Sequence, residues 1–149
     1  MNTSSTSIFS KSQITNEEML PSCVLHVCTS CRMPGTSRLP KEGRSGFILY
    51  EKLRDSIITR DLKHLVEVRA AKCLSICPRP CGIALSSLGS WTYLFGDQQA
   101  DKEGQEIIDC ISTYLNSPDG FMARASRPQS LQSSVLGRVP PIIGDQTCT

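Results

Sequence analysis

Apolar positions first become regular at Cys23-Val-Leu-His-Val-Cys28, whose aliphatic and β-branched residues suit a short, largely buried strand. The next segment, Thr29 to Gly43, contains Pro34, Gly35, Pro40 and Gly43, and that density of breakers predicts a loop. Phe47, Leu49, Tyr50, Leu53, Ile57 and Ile58 then recur at three- and four-residue spacings. They predict a helix from about Arg44 to Thr59, with Glu51, Lys52, Arg54 and Asp55 on its charged face. Val66-Glu-Val-Arg-Ala-Ala71 alternates as a second strand and runs straight into Cys73. Gly82 to Leu88 and Trp91 to Phe95 are two more strand-like runs, and the Gly89-Ser90 between them signals a hairpin. A last helix is predicted from about Asp101 to Leu115, burying Ile107, Ile108, Ile111, Tyr114 and Leu115. Asp97 or Asp101 suits its cap, and Glu103 suits the positive end of its dipole.

Strand, helix, strand, hairpin, helix is an α/β order. Two parallel strands joined by a helix place their carboxyl ends at the same end of the sheet, so Cys28 and Cys73 are expected to converge. The expected architecture is an α/β sandwich with a mixed four-stranded sheet, the plan of a thioredoxin-like domain. Composition sets the boundaries: residues 1–21 as a disordered polar arm, 22–117 as the packed domain, and 118–149 as an irregular Pro-containing tail.

The longest apolar runs are strand-length, well short of the roughly 18 residues of a membrane span. The first twenty residues contain no apolar block of the kind that leads export, so the expected location is the cytoplasm. Eight cysteines in a reducing compartment point away from a disulfide framework and towards metal or redox chemistry. Net charge is only +2, yet residues 28–81 hold eleven Lys or Arg against five acids, while residues 97–119 hold six acids against one Lys. No aromatic interleaving accompanies the basic block, which argues against nucleic acid as its partner. Positive charge beside sulfur favours the thiolate.

The dense cysteine clusters are Cys28-Thr-Ser-Cys31 and Cys73-Leu-Ser-Ile-Cys77-Pro-Arg-Pro-Cys81, each in a loop that follows a strand. Two pairs brought together by the fold supply the four sulfurs that zinc or a 2Fe-2S cluster takes. Cys110 on the apolar face of the last helix and Cys23 at a strand start read as structural, as does His26 within the first strand. Cys148 reads as incidental.

The strand ending Val27-Cys28, the Cys73-x-x-x-Cys77 pair and the hairpin with Gly89-Ser-Trp-Thr-Tyr93 resemble the thioredoxin-like 2Fe-2S ferredoxins. In that family a Cys after the first strand, one in the following loop and a Cys-x-x-x-Cys pair hold the cluster. The resemblance implies Cys28, Cys31, Cys73 and Cys77 as ligands. The interval from Cys28 to Cys31 is shorter than the family's, so Cys81 stands as the substitute ligand. The chain also resembles a bacterial family described as predicted metal-binding proteins, a domain of unknown function related to those ferredoxins. That resemblance is carried by Val-Cys-Thr-x-Cys-Arg, Cys-Leu-x-x-Cys, Trp91-Thr-Tyr-Leu-Phe-Gly-Asp97 and a tail from Ser117 to Pro141. It implies that Arg127-Pro128 and Arg138-Val-Pro140 pack back or meet a partner.

Three functions remain. The first is a non-enzymatic 2Fe-2S protein for electron transfer or cluster carriage, serving a redox or metal-receiving protein partner, with Arg32, Lys72 and Arg79 beside the cluster. The second is a module for zinc or another thiophilic metal, without electron transfer. The third is a thiol-disulfide oxidoreductase using Cys28 and Cys31, but the loop after Cys31 separates that pair from the helix start that would lower a thiol pKa. His26 and His64 lack a catalytic motif, and there is no Gly-rich phosphate loop.

Overall fold

The computed structural model describes residues 22–77, 79–99 and 104–142. The arm 1–21, the cap candidate Asp101 with Glu103, and Cys148 lie outside them. The elements are β1 (Cys23–Cys28), α1 (Ser45–Thr59), β2 (Val66–Ala71), β3 (Ile83–Ser86), β4 (Thr92–Phe95), α2 (Gly104–Asn116) and β5 (Val135–Val139). The sheet order is β2-β1-β3-β4-β5, with β1 parallel to β2 and every other pair antiparallel. This is the expected mixed α/β sandwich, with five strands where four were predicted.

Central β1 alternates as the pleat requires: Cys23, Leu25 and Val27 are buried, Val24 and His26 half-buried. The buried set packs against α1, whose inward stripe is Gly46, Leu49, Leu53 and Ile57. Ile58, expected in that stripe, is exposed, because a residue directly after Ile57 points about 100° away. The helix ends where Asp61 turns left-handed (φ 55°), with Asp61 N–H donating to the Ile58 carbonyl and Leu62 N–H to that of Ile57. That is a Schellman termination with Asp in the usual glycine place. Helix α2 buries Ile107, Ile108, Cys110, Ile111 and Tyr114.

The segment after residue 117 is not an irregular tail. Trp91 N–H donates to the Asp119 carbonyl at 2.9 Å, and the fully buried Tyr93 hydroxyl accepts from Met122 N–H at 2.8 Å. Without Met122 that hydroxyl would sit unsatisfied in the core, at a cost of about 1–3 kcal/mol. Met122 and Leu131 are themselves core residues, and β5 pairs with β4, Tyr93 facing Arg138. The Arg138 guanidinium lies 4.7 Å from the Phe121 ring centre and 5.3 Å from that of Trp91. The segment was missed because β5 is five residues long, contains Gly137 and Arg138, and has its partner strand on the far side of α2. Asp97, a candidate helix cap, is instead ion-paired with Arg79.

Leu131 lies deep in this added layer, so Leu131→Ala is expected to destabilise the protein by about 2–5 kcal/mol in urea unfolding, as a central-core Leu→Ala does. A loss under about 0.5 kcal/mol would show the segment to be an appendage.

Candidate metal centre

Residue Cys28 ends a strand that is paired on both sides, parallel with β2 and antiparallel with β3. Its N–H donates to the Gly82 carbonyl at 3.0 Å, and the next residue, Thr29, donates to the Ala71 carbonyl through N–H at 2.9 Å and hydroxyl at 3.1 Å. The parallel register sets Cys28 opposite Ala71, two residues before Cys73. The antiparallel register sets Val27 opposite Ile83, two residues after Cys81. Three cysteine-bearing segments therefore meet at one corner.

The sulfurs of Cys28, Cys31 and Cys81 form a hydrogen-bonded row with Cys31 in the middle, and all three residues are buried. Donating to Cys31 and burial push the Cys28 thiol well up. Cys31 receives that lowering bond, but its own bond to Cys81 and burial outweigh it, so it too is raised. Cys81 accepts from Cys31 and is lowered despite burial, making it the first of the row to ionise. Backbone N–H groups also face the sulfurs: those of Leu74 and Ser30 at Cys28, that of Gly82 at Cys31. Ser75 N–H donates to the Cys73 sulfur at 3.3 Å, with Ser75 itself left-handed (φ 56°).

The Leu74 contact lays the Cys73–Cys77 loop beside Cys28, yet Cys73 and Cys77 are themselves exposed. Among the described residues no three His, Cys, Asp or Glu side chains stand arranged as a ready metal-holding group. What the fold supplies is a buried row of three thiols, two exposed thiols on the adjoining loop, and N–H donors that stabilise negative sulfur. That donor set fits a thiophilic centre. Cys23 and Cys110 lie in the core away from this corner. Burial pushes Cys23 and Cys110 up to about 12, and the Cys110 thiol donates to the Met122 sulfur at 3.7 Å. His26 is bonded to the Ser86 hydroxyl at 3.0 Å as a satisfied sheet residue.

Two glycines hold this corner, and the motif search passed over both. A Cβ on Gly46 would lie 2.0 Å from the Cys28 carbonyl oxygen and 3.1 Å from the Cys31 Cβ, and Gly46 N–H donates to the Cys31 carbonyl at 2.9 Å. The start of α1 thus does reach the Cys28–Cys31 turn, because the loop between them folds back. Its N–H is taken by a carbonyl rather than a sulfur, and the Cys28 thiol is raised, contrary to what an attacking thiol needs. At the second glycine, Gly82, the Ile76 side chain occupies the space of a Cβ. The local signal was the helix-start glycine in Ser45-Gly46 and the glycine directly after Cys81.

Cys81 has a separate support. It exchanges backbone hydrogen bonds with Gln98 (3.0 and 3.3 Å), and the buried Gln98 amide donates to the Gly96 carbonyl at 2.7 Å and the Ser134 hydroxyl at 3.2 Å. Arg79, expected beside the sulfurs, is turned to Asp97. Arg32 is fastened to the Thr36 carbonyl.

Two helices on a mixed sheet, with a parallel β1–β2 pair joined through α1, make a thioredoxin-like fold. The chain belongs to the family described as "Protein of unknown function (DUF1636)", which matches residues 25–141. Among solved structures it is similar to a thioredoxin-like [2Fe-2S] ferredoxin from Aquifex aeolicus, at 15% identity and a TM-score of 0.52 over 82% of this chain and 96% of the ferredoxin. A cysteine-to-serine variant of that ferredoxin aligns at 14% identity and a TM-score of 0.50, covering 77% of this chain and 98% of the variant. No curated protein matches the chain in sequence. No described helix is long and apolar enough to cross a membrane.

Gly46→Ala is expected to cost about 1–3 kcal/mol through the Cys28 carbonyl clash, while Gly104→Ala, with open space around it, stays within about 0.5 kcal/mol of the parent. Equal unfolding midpoints for the two variants would contradict the packing of α1 on the cysteine turn. In metal-free protein at neutral pH, iodoacetamide is expected to modify Cys73 and Cys77 first and to spare Cys23 and Cys110 until unfolding, as peptide mass mapping would show. The two buried thiols carry a pH signature. Their folded pKa lies above the ordinary 9.0, so they cost nothing below that pH, and stability falls as pH climbs from 9.0 towards about 12 and only the unfolded chain ionises them.

Proposed function

We propose that this protein is a non-enzymatic carrier of a thiolate-bound metal centre, with a 2Fe-2S cluster as its preferred occupant and electron transfer or cluster carriage as its role. The observation that carries the reading is the buried Cys28-Cys31-Cys81 row under a loop bearing Cys73 and Cys77, with backbone N–H donors facing three of the sulfurs. The cluster assignment uses Cys28, Cys31, Cys73 and Cys77, and Cys81 takes the place of a loop ligand where needed. The fold shared with 2Fe-2S ferredoxins supports a cluster over a single ion. N–H donors near sulfur and partial exposure are the features that tune the potential of such a centre. Thiols of this kind stay ligand-ready in a reducing compartment, so we place the protein in the cytoplasm.

One observation favours a second reading. Cys31 interacts with both Cys28 and Cys81, so three thiols stand next to one another, and zinc takes such thiolates as ligands. Zinc held by Cys28, Cys31, Cys81 and one loop cysteine would be structural or cargo, without electron transfer.

The test is metal and sulfide analysis with visible spectra on untagged protein purified without oxygen. A coloured protein with about two iron and two sulfide per chain is expected, and Cys73→Ser is expected to lose the colour while Cys81→Ser keeps most of it. Colourless protein with one zinc, lost in Cys81→Ser, selects the second reading. Protein that takes up neither, at any pH where thiolates form, overturns both. Because ligation displaces protons from the row, occupancy is expected to fall as the pH is lowered.

A further inference from the structure

We infer that the loops framing the cysteine row form a docking surface for a protein partner with an acidic face. The inference rests on the metal-centre reading and adds the chemistry of what the centre meets. The loop between β1 and α1 carries Arg32, Arg38, Lys41 and Arg44 against the single acid Glu42, and Lys72 precedes Cys73 across the same corner. None of these five cations joins an ion pair among the described residues, whereas Arg54, Arg69 and Arg79 are each paired with a carboxylate. Four unpaired cations against one acid within residues 29–44, with Lys72 across the corner, leave this face of the cysteine corner positively charged.

The loop is also held in shape. Arg44 Nε donates to the Arg38 carbonyl at 3.0 Å and Arg32 to that of Thr36, and Thr36 donates to the Met33 carbonyl through N–H at 3.2 Å and hydroxyl at 2.6 Å. Carbonyls fix guanidinium groups without cancelling their charge. A surface ordered in advance loses less entropy when a partner arrives. Between the cations stand two exposed apolar side chains, Met33 and Leu39, the latter 69% exposed, next to Pro34 and Pro40. Cations around a small apolar patch match a protein face of carboxylates around an apolar spot. Nucleic acid fits less well, since residues 29–44 contain no aromatic side chain on which a base would stack. The loop is tied to the centre through Gly46 N–H on the Cys31 carbonyl, so a partner seated there lies against the sulfurs.

The test measures binding of fluorescent polyglutamate, about 20 residues long, to the full chain as purified, alongside its metal content. Binding is expected to weaken about tenfold as salt rises from about 0.02 M to 0.2 M. Arg38→Glu and Lys41→Glu are each expected to weaken it about three- to tenfold, and Lys63→Glu, an equal charge change near the other end of α1, by less than twofold. Equal losses in all three variants would mean attraction to net charge alone and overturn the inference. Oligothymidylate of the same charge binding more tightly through the same residues would overturn it in favour of nucleic acid. Low-salt self-association abolished by Lys41→Glu would overturn it in favour of a second copy. The two readings fail separately: a metal-free chain that still binds polyglutamate through Arg38 and Lys41 keeps the docking surface and loses the centre, and a metal-loaded chain that ignores polyglutamate does the reverse.

Discussion

Everything at the cysteine corner depends on β1 being hydrogen-bonded on both flanks up to its last residue. Cys28 donates to Gly82 on one side, and Thr29 is clasped by Ala71 on the other. A parallel neighbour brings a chain that is leaving the sheet, and an antiparallel neighbour brings one that is entering it. With one of each, two outgoing loops and one incoming loop share a corner, and the residues on them become neighbours across about fifty positions of sequence. An all-antiparallel sheet of the same strands would send Cys73 to the opposite end.

The same corner needs room as well as register. Gly46 lets the first turn of α1 close on the Cys28–Cys31 turn, and Gly82 gives Ile76 a place to anchor the loop that carries Cys73 and Cys77. Backbone N–H groups face the sulfurs of Cys28, Cys31 and Cys73. Burial and thiol donation raise Cys28 and Cys31 in the resting chain, while the N–H groups stand as donors for a negative centre.

Much of this was legible in the sequence. Strands β1 and β2 declare themselves by alternation and each runs into a cysteine loop, so the convergence of Cys28 and Cys73 followed from topology alone. Helix α1 was equally plain, apart from the side assigned to Ile58. Less legible was the partnership of Cys31 with Cys81, which requires knowing that β3 lies antiparallel beside β1. The exposure of Cys73 and Cys77 depends on how one short loop rests on Gly82, and no periodicity encodes that. The fifth strand was hidden for a different reason: Val135-Leu-Gly-Arg-Val139 is a strand by virtue of its partner, and Arg138 contributes through the Trp91 and Phe121 rings rather than through an apolar side chain. Tyr93 and Asp97 became intelligible only with contacts in hand, one meeting Met122 and the other Arg79.

The bond between Gln98 and Ser134 ties the cysteine corner to a part of the chain that is made after it. All five cysteines of the corner leave the ribosome before residue 134 does, but the wall behind Cys81 is a three-layer contact of Cys81 with Gln98 and of Gln98 with Ser134. Chains fold as they emerge, amino-terminal parts first. A nascent chain stopped at α2 therefore carries all five cysteines of the corner before Ser134, the partner of the Gln98 that backs Cys81, has been added.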